Sequence, residues 1–302
     1  MRMELPEAGH EPVLVEEVLR LLAPVAGETF VDCTLGRGGH SREIARKLGK
    51  SGLLIGLDVD PRNLEYAAGR LKGAGCQVRF FHAGFSELSD VLKEVGIPSV
   101  DGILADLGVS TNQLFDPAYG LSFDVAAPLD MRLDPRIEKT AADLVNRLPE
   151  GELANVLYEL AQERYSRRIA RKIGEARRLS PILTTDRLAG IVRGAIPRRP
   201  GPRPAIDPAT RTFMALRMAV NRETENLEKL LEVGPRSLKA GGRMAVISFQ
   251  STEDRLVKQA FAALSQAGFV EAVTKKPSAP TEGEIERNPR SRSARLRVVL
   301  RK

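Results

Sequence analysis

The 302-residue chain is poor in sulfur and imidazole, with two cysteines and three histidines. Cys33 and Cys76 are too few for a disulfide framework and stand in no metal-ligand spacing. His10, His40 and His82 are scattered, so no metal is expected. No apolar run approaches the roughly 18 residues of a membrane-spanning helix. The first ten residues are acidic and polar and contain no apolar signal core. Together these absences lead to the expectation of a cytoplasmic protein with no membrane partner. No internal repeat is visible.

What is present is an ordinary globular composition, 42% hydrophobic and 28% charged. The length suits one large domain or two modest ones. The net charge of +7 is unevenly spread. Residues 164–203 hold twelve Lys/Arg against Glu175 and Asp186, a local +10 that leaves −3 for the remainder. Such a field favours a polyanion, although a solvated helix face would also carry it.

The first half alternates strand and helix signals. Short strands are expected at Glu28–Asp32, Gly52–Leu57, Gln77–His82 and Asp101–Ala105, with helices over Pro12–Leu22 and Ser41–Leu48 and another opening at Pro61. That rhythm implies a doubly wound parallel sheet. It breaks after Ser110. An irregular stretch with Phe115, Tyr119 and Phe123 leads into helical segments at Thr140–Asn146, Glu150–Ser180 and Thr184–Gly194. Ile196–Pro208, with five prolines and three arginines, reads as a loop, and Ala209–Val233 as one long helix. Strands Arg243–Phe249, after Gly241-Gly242, and Phe269–Thr274 flank a helix over Glu253–Ala267, and Ala294–Arg301 alternates as a closing strand. The expected organisation is a discontinuous α/β domain, 1–110 and 215–302, interrupted by a mainly helical insertion, 111–214.

Chemistry concentrates at the strand ends. Asp32-Cys-Thr-Leu-Gly-Arg-Gly-Gly-His40 joins a strand to a helix, where glycines let backbone approach a ligand closely. Asp58 ends the next strand, twenty residues after Gly38, and suits a ribose diol. A dinucleotide enzyme of the oxidoreductase type would use a similar turn, but Ser41 and Arg42 stand where G-x-G-x-x-G would continue. Phe85, after the third strand, suits an adenine wall or the core. Asp106, after the fourth, suits a substrate amine or a turn. Three acids around one cleft (Asp32, Asp58, Asp106) suit a ligand bearing a cation.

Six motifs in order give the chain its resemblance to a known family. They are Asp32 to Ser41, Asp101-Gly-Ile-Leu-Ala-Asp-Leu-Gly-Val-Ser110, Pro128-Leu-Asp-Met-Arg132, Pro208-Ala-Thr-Arg-Thr-Phe213, Ile247-Ser-Phe249 and Asn288-Pro-Arg-Ser-Arg292. The chain resembles, nearly end to end, the RsmH (MraW) family of bacterial ribosomal RNA cytosine-N4 methyltransferases. The resemblance implies a class I S-adenosylmethionine-dependent methyltransferase fold, Rossmann-like and seven-stranded, with an inserted helical domain. It implies that Gly38, Gly39, His40, Asp58, Phe85, Asp106 and Gln113 contact S-adenosylmethionine. The implied substrate is a cytidine in the decoding region of 16S rRNA, in free RNA or in the small ribosomal subunit.

In one place the chain departs from the family. Family members read Ser-Phe-His-Ser-Leu-Glu-Asp-Arg where this chain has Ser248-Phe-Gln-Ser-Thr-Glu-Asp-Arg255. Gln250 cannot titrate but keeps hydrogen-bonding capacity, so that histidine is not expected to be essential. By position, Asp106 is the expected acceptor for the target amine, the alternative being a cofactor contact alone. The target base must leave its stack, and Phe115, Tyr119 or Phe123 would either stack on it or anchor the insertion. Arg167, Arg168, Arg171, Arg198, Arg199 and Arg203 are the expected phosphate contacts. Glu253 and Asp254 read as helix-opening acids, Cys33 as buried and inert. The rival readings are a noncatalytic RNA-binding assembly factor, an NAD-type oxidoreductase, and a methyltransferase acting on DNA or protein. Asp106-Leu-Gly-Val lacks the Pro-Pro-aromatic sequence of DNA amino-methyltransferases. Oligomeric state is left open.

Overall fold

The computed structural model describes residues 12–197 and 207–302. His10, Arg198, Arg199 and Arg203 lie outside the described residues. Seven strands form one sheet: β1 Thr29–Asp32, β2 Leu53–Asp58, β3 Gln77–His82, β4 Val100–Asp106, β5 Leu238–Ser248, β6 Val270–Ala272 and β7 Arg295–Arg301. Their order is β3-β2-β1-β4-β5-β7-β6. The first five are mutually parallel, and β7 runs antiparallel to both β5 and β6. This is the class I methyltransferase topology. The chain winds outward from β1 in one direction and from β4 in the other, so the order reverses between them and a crevice opens at their carboxyl ends.

Helices α1 Val15–Leu22, α2 Gly39–Leu48, α3 Pro61–Arg70 and α4 Leu88–Val95 accompany the first four strands. Pro61 opens α3 as expected, with the Asp60 carboxylate accepting the Arg62 N–H at 3.0 Å. Helix α1 starts three residues later than its hydrophobic pattern suggests, because Leu14 takes a left-handed conformation, φ 57°. Sequence periodicity missed α4. Both sheet faces are dry: one is built on Val31, Ile55, Ile103 and Val246, the other on Phe30, Leu54, Leu104 and Ile247.

A second compact unit runs from Thr111 to Glu223. It contains α5 Thr111–Phe115, α6 Ala141–Arg147, α7 Glu150–Ala161, α8 Ser166–Leu179, α9 Thr185–Ala195 and α10 Thr210–Val220. The helix expected over Glu150–Ser180 is two, since Gln162 turns left-handed at φ 54° and ends α7. Helix Ala209–Val233 is likewise two, α10 and α11 Glu223–Val233, because Arg222 sits at φ 50°. The Asn221 amide explains that break: it accepts from Leu133 N and donates to Met131 O, both at 2.8 Å. The Pro128–Arg132 motif is therefore structural within this unit, and Arg132 forks onto Asp130 at 2.8 Å through both Nε and Nη2. Helices α12 Ser251–Gln266 and α13 Glu282–Arg287 return to the sheet unit. Gly241 and Gly242 lie inside β5 rather than before it, and β7 sits between β5 and β6 rather than at an edge.

Phe30 on β1 faces Gly102 on β4, and a side chain at residue 102 would overlap the phenyl ring. Gly102→Ala is expected to cost about 1–3 kcal/mol by overpacking. Denaturant unfolding should show part of that loss restored in the Phe30→Leu/Gly102→Ala double variant. Strict additivity of the two losses would refute the contact.

Candidate active site

The turn between β1 and α2 is held by buried carboxylates. Asp32 closes β1, and its Oδ1 accepts the Thr34 N–H at 3.1 Å while Oδ2 accepts the Ser41 hydroxyl at 2.7 Å. Thr34 passes the tie onward, its Oγ1 accepting the Asp106 N–H at 2.6 Å. On the other side, Asp58 Oδ2 accepts Gly36 N–H at 2.7 Å, and Leu35 N–H donates to Leu57 O at 2.8 Å. The Gly-rich turn is thereby pinned to the tips of β2 and β4 at once. Gly36 and Gly38 adopt φ of 51° and 74°, conformations side chains resist, and Gly38 caps α2. A Cβ at Gly39 would press on the Pro12 ring at 3.0 Å.

Of the expected site residues, Gly38, Gly39, His40, Asp58 and Asp106 gather at the tips of adjacent strands. Phe85 opens the turn after β3 and is half-buried against the core beneath the sheet. Gln113 is buried on α5, in the other compact unit. Asp32 is occupied in holding the turn, which removes it from the set of acids that face a ligand. Asp58 also accepts from Asp60 N at 2.9 Å, and burial pushes its carboxyl up to about 6. The Asn63 amide also reaches both oxygens at 3.4 Å, and these long bonds are the ones that hydroxyl donors would displace.

His40 and Asp106 form the chemical centre. His40 is buried, and its Nε2 lies 2.8 Å from Val13 O. A carbonyl only accepts, so Nε2 carries the proton and Nδ1 is left as an acceptor. Nδ1 is 3.7 Å from Asp106 Oδ2. This contact is not an ion pair. Burial pulls the imidazole down to about 4. Burial, with repulsion from Asp32 and Glu253, pushes Asp106 up to about 8. Both shifts favour the neutral forms near pH 7. Asp106 Oδ1 is buried with no hydrogen-bond donor.

These residues fit S-adenosylmethionine. The unsatisfied Asp106 oxygen asks for a cation or a donor, Asp58 retains acceptor capacity for a ribose, and the left-handed glycines open backbone at the start of α2. Sequence reasoning missed the ties made by Thr34 and Ser41. The Asp-x-Thr spacing at Asp32 was their one signal, since an aspartate commonly accepts from the backbone two residues on.

The insertion presents Arg167, Arg168 and Arg171 on the exposed face of α8, whose other face buries Ile169, Ala170 and Ile173. Phe123 packs edge-on against Phe213 at 4.7 Å, and Tyr119 is buried, so both rings serve the insertion's own packing. Glu253 does close the start of α12, accepting from Phe249 N and Gln250 N at 3.1 Å, while Asp254 pairs with Arg297 on β7. Cys33 is buried, and burial raises its thiol out of reach of ionisation.

Asp106 binds its proton more tightly folded than unfolded, where a carboxyl titrates near 3.9. Stability therefore falls as pH rises from about 4 to about 8, and that loss is complete above this window. Asp106→Asn removes the effect. Its melting temperature relative to the native chain is expected to climb between about pH 5 and about pH 8.5. A difference that ignores pH would exclude a buried proton at this site.

Residues 7–302 match the model of the MraW methylase family. The ribosomal RNA small subunit methyltransferase H of Syntrophobacter fumaroxidans is 46% identical over 309 residues, covering 97% of each chain. That of Sorangium cellulosum is 47% identical over 293 residues, covering 97% of this chain and 90% of its own. A solved rRNA methylase from Streptococcus thermophilus superposes with a TM-score of 0.43 at 11% identity, covering 93% of this chain and 91% of its own, too distant to bear on function. With nearly its whole length matched by the family and by relatives of this identity, the chain belongs to the MraW methylase family.

Proposed function

We propose that this chain transfers the methyl group of S-adenosylmethionine to the N4 amine of a cytidine in the decoding region of 16S rRNA. The observation that carries the reading is Asp106. It is a half-buried carboxyl at the crevice between β1 and β4, and its enclosed Oδ1 meets no donor among the described residues. Gly38, Gly39, His40, Asp58, Phe85, Asp106 and Gln113 are the proposed cofactor contacts. The bound cofactor supplies an electrophilic methyl on a sulfonium.

The protein's share is to place a weak nucleophile in line. A cytosine amine has its lone pair delocalised into the ring, and an acceptor on its N–H groups draws that pair back to nitrogen. Asp106 Oδ1 is the proposed acceptor. Fixing both partners in an attacking geometry supplies about 7–11 kcal/mol in favourable cases. The carboxyl's burial matters here. An exposed, fully ionised acid would hold the cation most strongly before reaction and weaken the gain at the transition state.

Arg167, Arg168 and Arg171 of α8, with Arg198, Arg199 and Arg203, are the proposed contacts to RNA phosphates. Arg171 shares its charge with Glu175 at 4.0 Å, whereas Arg167 and Arg168 are exposed. Neutralising single-stranded phosphates makes log affinity fall with log salt at about −0.7 per contact.

Nucleoside mass spectrometry of 16S rRNA from cells with and without the protein is expected to show one N4-methylated cytidine that depends on it. An unchanged cytidine profile would end the reading. Affinity for S-adenosylmethionine should drop by up to about tenfold per pH unit below the Asp106 pKa of about 8, while that for the uncharged product stays flat. Calorimetry with both ligands checks this, and parallel curves would remove Asp106 from the sulfonium's surroundings. Replacing Arg167 and Arg168 by Ala should flatten the salt slope of RNA binding by about 1.4.

A further inference from the structure

A second buried oxygen that no donor reaches among the described residues lies just past the strand next to that of Asp106. It is Oε1 of Gln250, the residue that caps α12 two positions after β5 ends. β4 and β5 are hydrogen-bonded neighbours with Asp106 opposite Ile247, and Leu107 N–H donates to Ile247 O at 2.9 Å. The turns leaving the two strands also meet. A Cβ on Gly108 would stand 3.8 Å from the Phe249 ring, and the left-handed φ of 105° keeps that position a glycine. Glu253, which grips the Gln250 turn, is near enough to raise the affinity of Asp106 for its proton.

The orientation of the Gln250 amide is set by its neighbours. Its nitrogen donates to Glu253 Oε1 at 3.4 Å. Glu253 Oε2 accepts from the backbone N–H of Phe249 and of Gln250. A carboxylate cannot face the amide oxygen without repulsion, so the oxygen is the end turned away and left without a partner. The site thus offers two acceptors at adjacent strand tips, Asp106 Oδ1 and Gln250 Oε1. One of the amide's two N–H donors is engaged by Glu253.

We infer that Gln250 Oε1 and Asp106 Oδ1 together receive the two N–H groups of the target amine, which makes Gln250 a substrate-binding residue that selects cytosine over uracil. The inference rests on the methyl-transfer reading above. Cytosine presents two in-plane donors at C4, while uracil presents an acceptor oxygen there. A pair of buried acceptors satisfies the first and repels the second. Held in plane by both oxygens, the amine keeps its lone pair out of plane for the incoming methyl. That pair forms the new N–C bond as the C–S pair returns to sulfur. Asp106, which the bound cation favours in its ionised form once its own proton has passed to solvent, then takes one N–H proton from the positively charged nitrogen, and Gln250, which cannot titrate, keeps the other N–H. The division of labour explains how a residue without acid–base chemistry serves at this position.

Gln250→Met keeps side-chain length and removes the oxygen, and Gln250→His restores an acceptor. Full-length proteins are compared for transfer to unmodified small ribosomal subunits, for calorimetric binding of S-adenosylhomocysteine, and for binding of RNA carrying C or U at the target with S-adenosylhomocysteine present. Gln250→Met is expected to bind S-adenosylhomocysteine like the native chain, to lose about 10-fold to 100-fold in kcat/KM, and to lose most of its preference for C over U. Gln250→His should recover most of both. Transfer by Gln250→Met within about twofold of native overturns the assignment, as does a loss of S-adenosylhomocysteine affinity that matches the loss of turnover, which would mark a structural role. If Gln250→Met does not fold, the native chain still decides: about tenfold or greater preference for C over U supports the paired acceptor, and equal binding refutes it. No transfer by the native chain refutes the methyl-transfer reading and this inference with it. Normal transfer that ignores residue 250 refutes the inference alone.

Discussion

The site depends on one buried acid, the carboxyl of Asp32. It receives the Thr34 amide and the Ser41 hydroxyl, so both ends of the glycine turn are tied to the end of β1. Thr34 then fixes the backbone of Asp106 across the β1–β4 seam. An acid buried this deeply is costly, and its raised pKa records that cost. The hydrogen bonds offset it by supplying the donors that water would have supplied. Without them the turn would have no reason to lie over the crevice, and Asp58 and Asp106 would not converge on one ligand.

Charge is distributed with a purpose across the chain. The crevice collects acids, yet at neutral pH much of that charge is suppressed by protonation, because Asp106 lies beside two other carboxylates and away from water. His40 stays neutral for the same reason and uses its proton on Val13. Leu14, next in the chain, donates its amide to Glu284 of α13, so the imidazole's orientation is backed by a fold-spanning contact 270 residues apart in sequence. The basic residues instead crowd α8 and its neighbourhood, where arginines cover one helix face. Opposite local fields thus occupy different parts of one protein.

Much of the fold could be read from residue order. Buried strands bounded by turns showed themselves at β1, β2 and β4, since parallel strands covered on both faces are nearly all apolar, whereas β3 is an edge strand with no buried residue. Where reading failed, a tertiary contact had overridden local preference. Asn221 breaks a continuous helical pattern by bonding to Met131 and Leu133, some ninety residues earlier. Gln162 ends α7 inside an uninterrupted run of good helix formers. The candidate site divides in the same way. Position at a strand end marked Asp58 and Asp106 in the sequence. The neutral state of Asp106 did not show, because it comes from Asp32 and Glu253, which are 74 and 147 positions away. The bare oxygen of Gln250 was equally hidden, since it depends on which end of an amide faces Glu253.

The insertion of β7 between β5 and β6 has a consequence for how the chain is made. β5 ends at Ser248 with Met244, Ala245, Val246 and Ile247 all buried, and β7 begins 47 residues later. Until those residues leave the ribosome, this apolar stretch of β5 keeps one rim bare, and a bare rim invites pairing with a foreign chain. A nascent protein of this architecture is exposed to aggregation until β7 has emerged and paired with β5.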